Sequence, residues 1–239
     1  MTKKAINQNS KFNQELINTI ESKFVFTDEP INRFNFNKRQ NEVNGGEKKD
    51  LLENLKEKLN SIENCKIKKN SNNIVFGEGD INGSIMFIGE SPGLEEEKSG
   101  LTYKGEVGKL LNKMLIAINI RRQNIYTSYA INFRPPGDRK PTSLEIKRYS
   151  VFLKEHISII DPKIIVLMGS SAMEAVTGIN EKISSVRGQW KEVILKNKTY
   201  PVMTTFNPSY LIRFPENKKY SWEDLKKIRD KIKDLNLKI

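Results

Sequence analysis

The sequence predicts an α/β fold, a three-layer sandwich in which helices flank a central, mainly parallel four-stranded sheet. Short apolar runs of strand length alternate along the chain with longer segments whose apolar residues recur at helical spacing. With 239 residues, the chain is long enough to bury a sizeable core. Its longest apolar runs are far shorter than a membrane span, and its start has no apolar segment of signal-peptide length. We therefore expect a cytoplasmic protein.

The first 50 residues are predicted to form an N-terminal helical extension and a polar linker. Residues 12–24, FNQELINTIESKF, are amphipathic, and the residues after them are rich in polar side chains. The α/β domain is predicted over residues 51–239. It begins with a helix at residues 51–62, which has leucines at helical spacing, and continues with a basic loop at residues 65–73.

The remainder of the domain alternates between strands and helices. The predicted strands are residues 84–89, 125–131, 164–169 and 201–206. The predicted helices are residues 105–118, 142–160, 170–177 and 221–235. Thr142, with Glu145 three residues later, has the pattern of a capping box. A hairpin over residues 183–195 is predicted to interrupt the last crossover. Strands that alternate with helices pair in parallel.

Composition restricts the possible chemistry. Cys65 is the only cysteine and His156 the only histidine. An intrachain disulfide is therefore excluded, and neither a zinc site nor a Ser-His-Asp triad is favoured. We interpret His156 as a structural or solvated residue. The net charge of +12 fits a polyanionic partner, although a compositional drift of the genome toward lysine and asparagine would produce the same charge.

Two loops follow predicted core strands and carry the candidate catalytic residues. Glu90 follows the first strand and precedes the turn Ser91-Pro92-Gly93, and Asn207 follows the fourth strand. The carboxyl ends of parallel strands meet at one edge of the sheet, where ligands bind. Glu90 and Asn207 are therefore expected to face one pocket. The Pro92-Gly93 turn lets backbone N–H groups approach a ligand or a phosphate.

These loops resemble those of uracil-DNA glycosylases, most closely the iron–sulfur branch usually called family four. The family's GE-A/G-PG-x-x-E-D, RPPxNRxP and HPxYLLR blocks have counterparts in GESPGLEE (89–96), RPPGDRKP (134–141) and NPSYLIR (207–213). The resemblance covers residues 51–235 in the right order and spacing. It implies a monomeric enzyme that hydrolyses the N-glycosidic bond of uracil, or of a related damaged base, in DNA during base-excision repair. The target nucleotide would be flipped out of the stack.

The resemblance also implies roles for individual residues. Glu90 matches the carboxylate that activates water and stabilises the cationic sugar, and Asn207 replaces a catalytic histidine but keeps a donor for the base oxyanion. Gly89 and Tyr103 match base-binding positions, where Tyr103 would stack on the flipped base. Tyr129 replaces the asparagine that reads the polar edge of uracil. A phenol has one donor–acceptor group where an amide has both kinds side by side, so base selectivity stays open.

The same blocks imply DNA contacts. Leu211 matches the apolar wedge that enters the vacated stack, with a core leucine as the alternative. The other predicted DNA-binding residues are Ser91, Pro92, Gly93, Ser209 and Arg213. We interpret residues 95–97, three consecutive glutamates, as a solvated run.

The cluster positions of the family have lost most of their ligands. Its four cysteines fall here on Ile62, Cys65, Phe133 and Tyr149. One thiolate cannot hold a four-iron cluster, so no cofactor and no metal are predicted. The changes at Tyr129 and Asn207 leave two alternatives open: a catalytically degenerate glycosylase fold that only binds DNA, and an enzyme acting on free nucleosides.

Overall fold

The computed structural model of the protein describes residues 45–63 and 65–237, and its central element there is a mixed sheet of six strands. The strands are β1 (Gly77–Gly79), β2 (Ile85–Gly89), β3 (Tyr126–Tyr129), β4 (Ile164–Met168), β5 (Trp190–Leu195) and β6 (Lys198–Thr205). Their order across the sheet is β1-β3-β2-β4-β6-β5. The four inner strands are parallel, and β1 and β5 pair antiparallel at the two edges. The predicted parallel strands thus form the inner part of a larger sheet.

The predicted number of four strands was wrong because edge strands leave weak sequence signals. β1 has only three residues, and two of them are glycines. The hairpin predicted over residues 183–195 is also wrong, since this segment contains one turn of helix followed by β5. The hairpin forms instead between β5 and β6, where Lys196 and Asn197 adopt positive φ in the turn.

Helices pack on both sides of the sheet. They are α1 (Gly45–Asn60), α2 (Lys66–Lys69), α3 (Leu94–Ser99), α4 (Gly105–Ile116), α5 (Ser143–Ile160), α6 (Ser170–Thr177), α7 (Ile183–Val186), α8 (Pro208–Arg213) and α9 (Lys218–Asp234). The four helices predicted after residue 100 are confirmed as α4, α5, α6 and α9, with ends shifted by at most three residues. No helix in the described ranges is long and apolar enough to cross a membrane.

The helix predicted at residues 51–62 has a different start in the structure. α1 begins at Gly45, six residues before the predicted start at residue 51. The predicted loop at residues 65–73 contains the single turn of α2. The helix predicted at residues 12–24 lies outside the described residues.

The inner strands are buried on both faces, which explains their continuous apolar runs. Successive side chains of a strand point to opposite faces. Met86 and Ile88 of β2 accordingly join a core layer with residues of α1, α5 and α6. Ile85 and Phe87 join the opposite layer with residues of α4 and α9. The three-layer arrangement is therefore confirmed.

His156 lies inside α5 and is a structural residue. Its ring is 2% exposed, stacks on Phe76 with ring centroids 4.4 Å apart, and shares a hydrogen bond of 2.9 Å with the Tyr126 hydroxyl. Burial disfavours the charged imidazolium and lowers the pKa of His156 to about 3. The folded protein therefore holds a neutral imidazole at this position.

We expect the free energy of unfolding to decrease as the pH falls below about 6.5, with a slope approaching about 1.4 kcal/mol per pH unit, because unfolded His156 binds a proton that the folded protein excludes. The stabilisation from the neutral His156 is fully present above the pKa that His156 has in the unfolded chain, and it is lost as the pH approaches 3. Urea unfolding between pH 5 and 6.5 isolates this residue, since carboxylates titrate mainly below that range. His156→Gln should remove the slope; an unchanged slope in this variant would contradict the assignment.

Candidate active site

The carboxyl ends of the parallel strands open into a cavity of about 960 Å³. Loops after β2, β4 and β6 contribute to its wall. Glu90 and Asn207, which follow different strands, both line it. Most of the other predicted site residues line it as well: Ser91, Pro92, Gly93, Tyr103, Tyr129, Ser209 and Arg213. Gly89 and Leu211 are not part of the lining.

Glu90 is held in place by the start of α6. Its Oε1 accepts hydrogen bonds from the Ser171 backbone N–H and hydroxyl, both at 3.1 Å, and from the Ser170 hydroxyl at 3.3 Å. Three donors on one oxygen fix the orientation of the carboxylate. Within the described residues, Oε2 has no hydrogen-bond donor. One carboxylate oxygen is thus anchored while the other is available to a ligand or a water molecule.

Only glycine fits at position 169, where the backbone passes close to the Glu90 side chain. Gly169 has a φ of 110°, and a Cβ atom there would lie 2.4 Å from Glu90 Cγ and Cδ. Sequence reasoning missed the contribution of Gly169, Ser170 and Ser171. The signal that would have found them is their position directly after a core strand, at the same sheet edge as Glu90.

Asn207 is the N-cap of α8 and is almost fully buried. Its Oδ1 accepts from the Ser209 N–H at 3.0 Å and from the Ser209 hydroxyl at 3.1 Å, and its Nδ2 donates to the Met168 carbonyl at 3.3 Å. An amide nitrogen carries two hydrogens. One N–H of Asn207 is therefore unused in these contacts, whereas the Ser209 hydroxyl is engaged.

Tyr103 and Tyr129 pack together beside Gly89. Their ring centroids are 5.0 Å apart, and the Tyr129 hydroxyl accepts a hydrogen bond of 3.0 Å from the Tyr103 backbone N–H. A Cβ atom at Gly89 would lie 2.2 Å from the Tyr103 hydroxyl, so only glycine fits there. Burial raises the pKa of Tyr103, which keeps its phenol protonated. In the described part of the chain, this buried hydroxyl has no partner, while that of Tyr129 is engaged.

The backbone of Tyr103 is unusual, with a φ of 51°, in the left-handed region that non-glycine residues rarely adopt. The Arg122 side chain contacts the Tyr103 ring and the residue before it in the chain. The guanidinium lies 5.2 Å from the Tyr103 ring centroid and donates to the hydroxyls of Thr102 and Thr127 at 2.9 and 3.0 Å. Such strain persists where surrounding contacts enforce it.

The interpretation of residues 95–97 as a solvated run was wrong for two of the three. Glu95 is exposed, but Glu96 and Glu97 are buried. Glu96 accepts from the backbone N–H groups of Gly93 and Lys104 at 3.1 and 3.0 Å. Glu97 accepts from Ser71 and from Arg134. These carboxylates fix the loop that carries Glu90 and Tyr103.

The structure supports the alternative interpretation of Leu211 and not the wedge. Leu211 is 1% exposed and belongs to the core layer of α4 and α9. An apolar side chain that enters a DNA stack must reach the surface. On α8 the neighbouring Ile212 is exposed instead.

Three of the four cluster positions contact one another, and their side chains do not fit an iron–sulfur cluster. The Cys65 thiol is 3.2 Å from the Tyr149 hydroxyl, and the Phe133 and Tyr149 rings pack edge to face. Ile62 packs against the same core layer. A four-iron cluster takes four thiolates, and this site supplies one. The described residues also contain no group of three or more His, Cys, Asp or Glu side chains that could hold a metal ion.

Comparison with known proteins places these features in a family. The family model described as uracil DNA glycosylase superfamily matches residues 76–228. A type-4 uracil-DNA glycosylase from Thermotoga maritima is 35% identical over 78% of this chain and 97% of its own length. Enzymes of the same name from Sulfurisphaera tokodaii and Archaeoglobus fulgidus are 37% and 30% identical, over 76% and 75% of this chain and 84% and 92% of their own lengths.

Proposed function

The chain belongs to the uracil-DNA glycosylase superfamily, and from this premise we propose that it hydrolyses the N-glycosidic bond of uracil, or of a related damaged base, in DNA. This step would begin base-excision repair. The observation that carries the proposal is the position of Glu90, an anchored carboxylate with one available oxygen in a large cavity.

Glu90 would act on the sugar side of the bond. Cleavage builds positive charge on the sugar and negative charge on the departing base. Oε2 of Glu90 would stabilise the cationic sugar and orient the attacking water. Its anchoring through Ser170 and Ser171 lowers the cost of reorganising the carboxylate during the reaction.

Asn207 and Tyr103 would act on the base side. The unused N–H of Asn207 would donate to the developing oxyanion of the base. The Tyr103 hydroxyl is a second buried donor without a partner among the described residues. The Tyr129 hydroxyl oxygen accepts from the Tyr103 backbone N–H, which leaves its own hydrogen available to donate. The preferred base would therefore be set by Tyr103, Tyr129 and Asn207, which all line the cavity.

DNA is the proposed partner, with the target nucleotide flipped into the cavity at a cost of a few kcal/mol. Among the lining residues of the described chain, Lys140, Lys182 and Arg213 are cations without an ion pair, and they are candidates for phosphate contacts. We propose that the enzyme is monomeric. We place its action in the cytoplasm.

The test is base release from oligonucleotides that contain deoxyuridine, as single strands and as U·G and U·A duplexes, detected by alkaline cleavage of the abasic product. A panel of other damaged bases extends the same assay. We expect cleavage in at least one strand form. Measurable DNA binding without product in any arm would favour the inactive binding fold, and activity on free deoxyuridine that ignores DNA would favour a nucleosidase.

We also propose that the protein works without an iron–sulfur cluster. The packing of Phe133 and Tyr149 at two of the four ligand positions supports this. Anaerobically purified protein is expected to lack a broad visible absorption band, to contain far less than stoichiometric iron and sulfide, and to keep its activity in chelator. Four iron atoms per chain would contradict the proposal.

A further inference from the structure

Three aromatic rings form a continuous stack beside the cavity. The ring centroids of Phe206 and Tyr210 are 5.0 Å apart with an interplanar angle of 17°, and those of Tyr210 and Phe214 are 4.8 Å apart at 37°. We call this set the aromatic ladder. Ring spacings in this range are favourable aromatic contacts, so each ring is held by the next.

The aromatic ladder leads from the cavity to the surface. Phe206 is buried and Tyr210 half-buried, and both line the cavity. Phe214, the outer ring, is 44% exposed. Its two neighbours at the cavity mouth, Arg213 and Asn217, line the cavity as well. The exposed Phe214 ring, which packs on Tyr210, therefore lies next to residues of the cavity wall.

Three exposed basic residues lie close to Phe214 in the sequence. Arg213 and Lys218 are exposed on either side of Phe214 in the sequence, and within the described ranges neither has an ion pair. Lys219 is also exposed, with its ammonium 4.9 Å from the Tyr220 ring centroid. Aromatic rings among cations are the combination that holds single-stranded nucleic acid, because bases stack on the rings while phosphates meet the charges.

From this geometry we propose that Phe214 stacks on an unpaired nucleobase adjacent to the nucleotide that enters the cavity, with Arg213 and Lys218 on the flanking phosphates. The inference rests on the proposed function, since it takes DNA as the ligand. The ligand is single-stranded DNA, because a base inside a duplex is already stacked on both faces. Any base offers a π face, so this contact adds affinity without selecting sequence.

The test is binding of an undamaged, fluorescein-labelled deoxythymidine 12-mer, followed by fluorescence anisotropy. Base stacking on one ring is worth about 1–3 kcal/mol, so Phe214→Ala should weaken binding about 5- to 150-fold. Phe214→Tyr keeps a π face and should bind like the unchanged protein, whereas Phe214→Leu keeps apolar area alone and should bind like the alanine variant. Ile116→Ala is the control, because Ile116 is 68% exposed at the end of α4 and does not line the cavity.

Two results with the variants would overturn the proposal: equal affinity of the alanine variant and the unchanged protein, or equal affinity of the leucine and tyrosine variants. A protein that does not bind the 12-mer at all would overturn it too. Lys218→Ala should instead weaken binding uniformly and reduce the salt slope by about one. The 12-mer contains no uracil. A Phe214-dependent affinity without base release would therefore refute the proposed function alone.

Discussion

Glu90→Gln is expected to reduce the rate of base release by about 10²- to 10⁴-fold, the range that a positioned acid–base group supplies. The amide keeps the size of the side chain and an oxygen for the Ser171 donors. It lacks the negative charge that stabilises a cationic sugar and the basicity that orients water. Single-turnover rates on a deoxyuridine oligonucleotide measure this loss directly, without the contribution of product release.

Glu95→Gln is the matched control, because Glu95 is an exposed carboxylate in α3, the helix that follows the Glu90 turn. It should keep the rate within about twofold, as surface substitutions usually do. Both variants should bind DNA with similar affinity, since neither removes a phosphate contact. Turnover by Glu90→Gln near that of the control would exclude Glu90 from the chemistry and leave the cavity without its proposed catalytic carboxylate.

Arg187→Met is expected to lower the free energy of unfolding by about 3–5 kcal/mol, because it leaves a buried carboxylate without its counter-ion. Asp224 is fully buried and accepts from Arg187 Nε at 3.0 Å and from the Thr205 hydroxyl at 2.7 Å. Arg187 also bonds the Tyr220 carbonyl, so it ties α9 to the loop before β5. Urea unfolding at pH 7 gives the magnitude.

The free energy of unfolding of Arg187→Met should depend on pH in one direction. Burial already raises the pKa of Asp224, and the loss of Arg187 raises it further. The folded variant then binds a proton that the unfolded chain releases, so its stability should fall as the pH rises. The deficit relative to the unchanged protein should be smaller at pH 5 than at pH 8.

Lys226→Met provides the comparison, since Lys226 pairs with Glu223 on the exposed side of the same helix. An exposed ion pair of this kind is worth at most about 1 kcal/mol. Adding Asp224→Asn to Arg187→Met should recover part of the lost stability, because no charge is then left buried. Equal losses from Arg187→Met and Lys226→Met would show that the buried pair is no more important than an exposed one.

The parallel core of the fold could be predicted because its strands are buried on both faces and therefore read as apolar runs. The antiparallel edges could not. β1 is too short and too rich in glycine for a pattern, and β5 lacks a regular alternation because its apolar Ile194 is exposed. Edge strands have one neighbour and fewer packing constraints, so their sequences carry less information.

Sequence alone determined the parallel sheet, the edge at which Glu90 and Asn207 lie, and the family, because these follow from local apolar periodicity and from motif order. Only the tertiary structure decided what those side chains touch. It showed that Ser170 and Ser171 anchor Glu90 and that Glu96, Glu97 and Leu211 are buried. It also showed that the exposed Phe214 ring packs on Tyr210, which lines the cavity. Burial and hydrogen-bond partners depend on residues that are distant in the chain, and no local pattern records them.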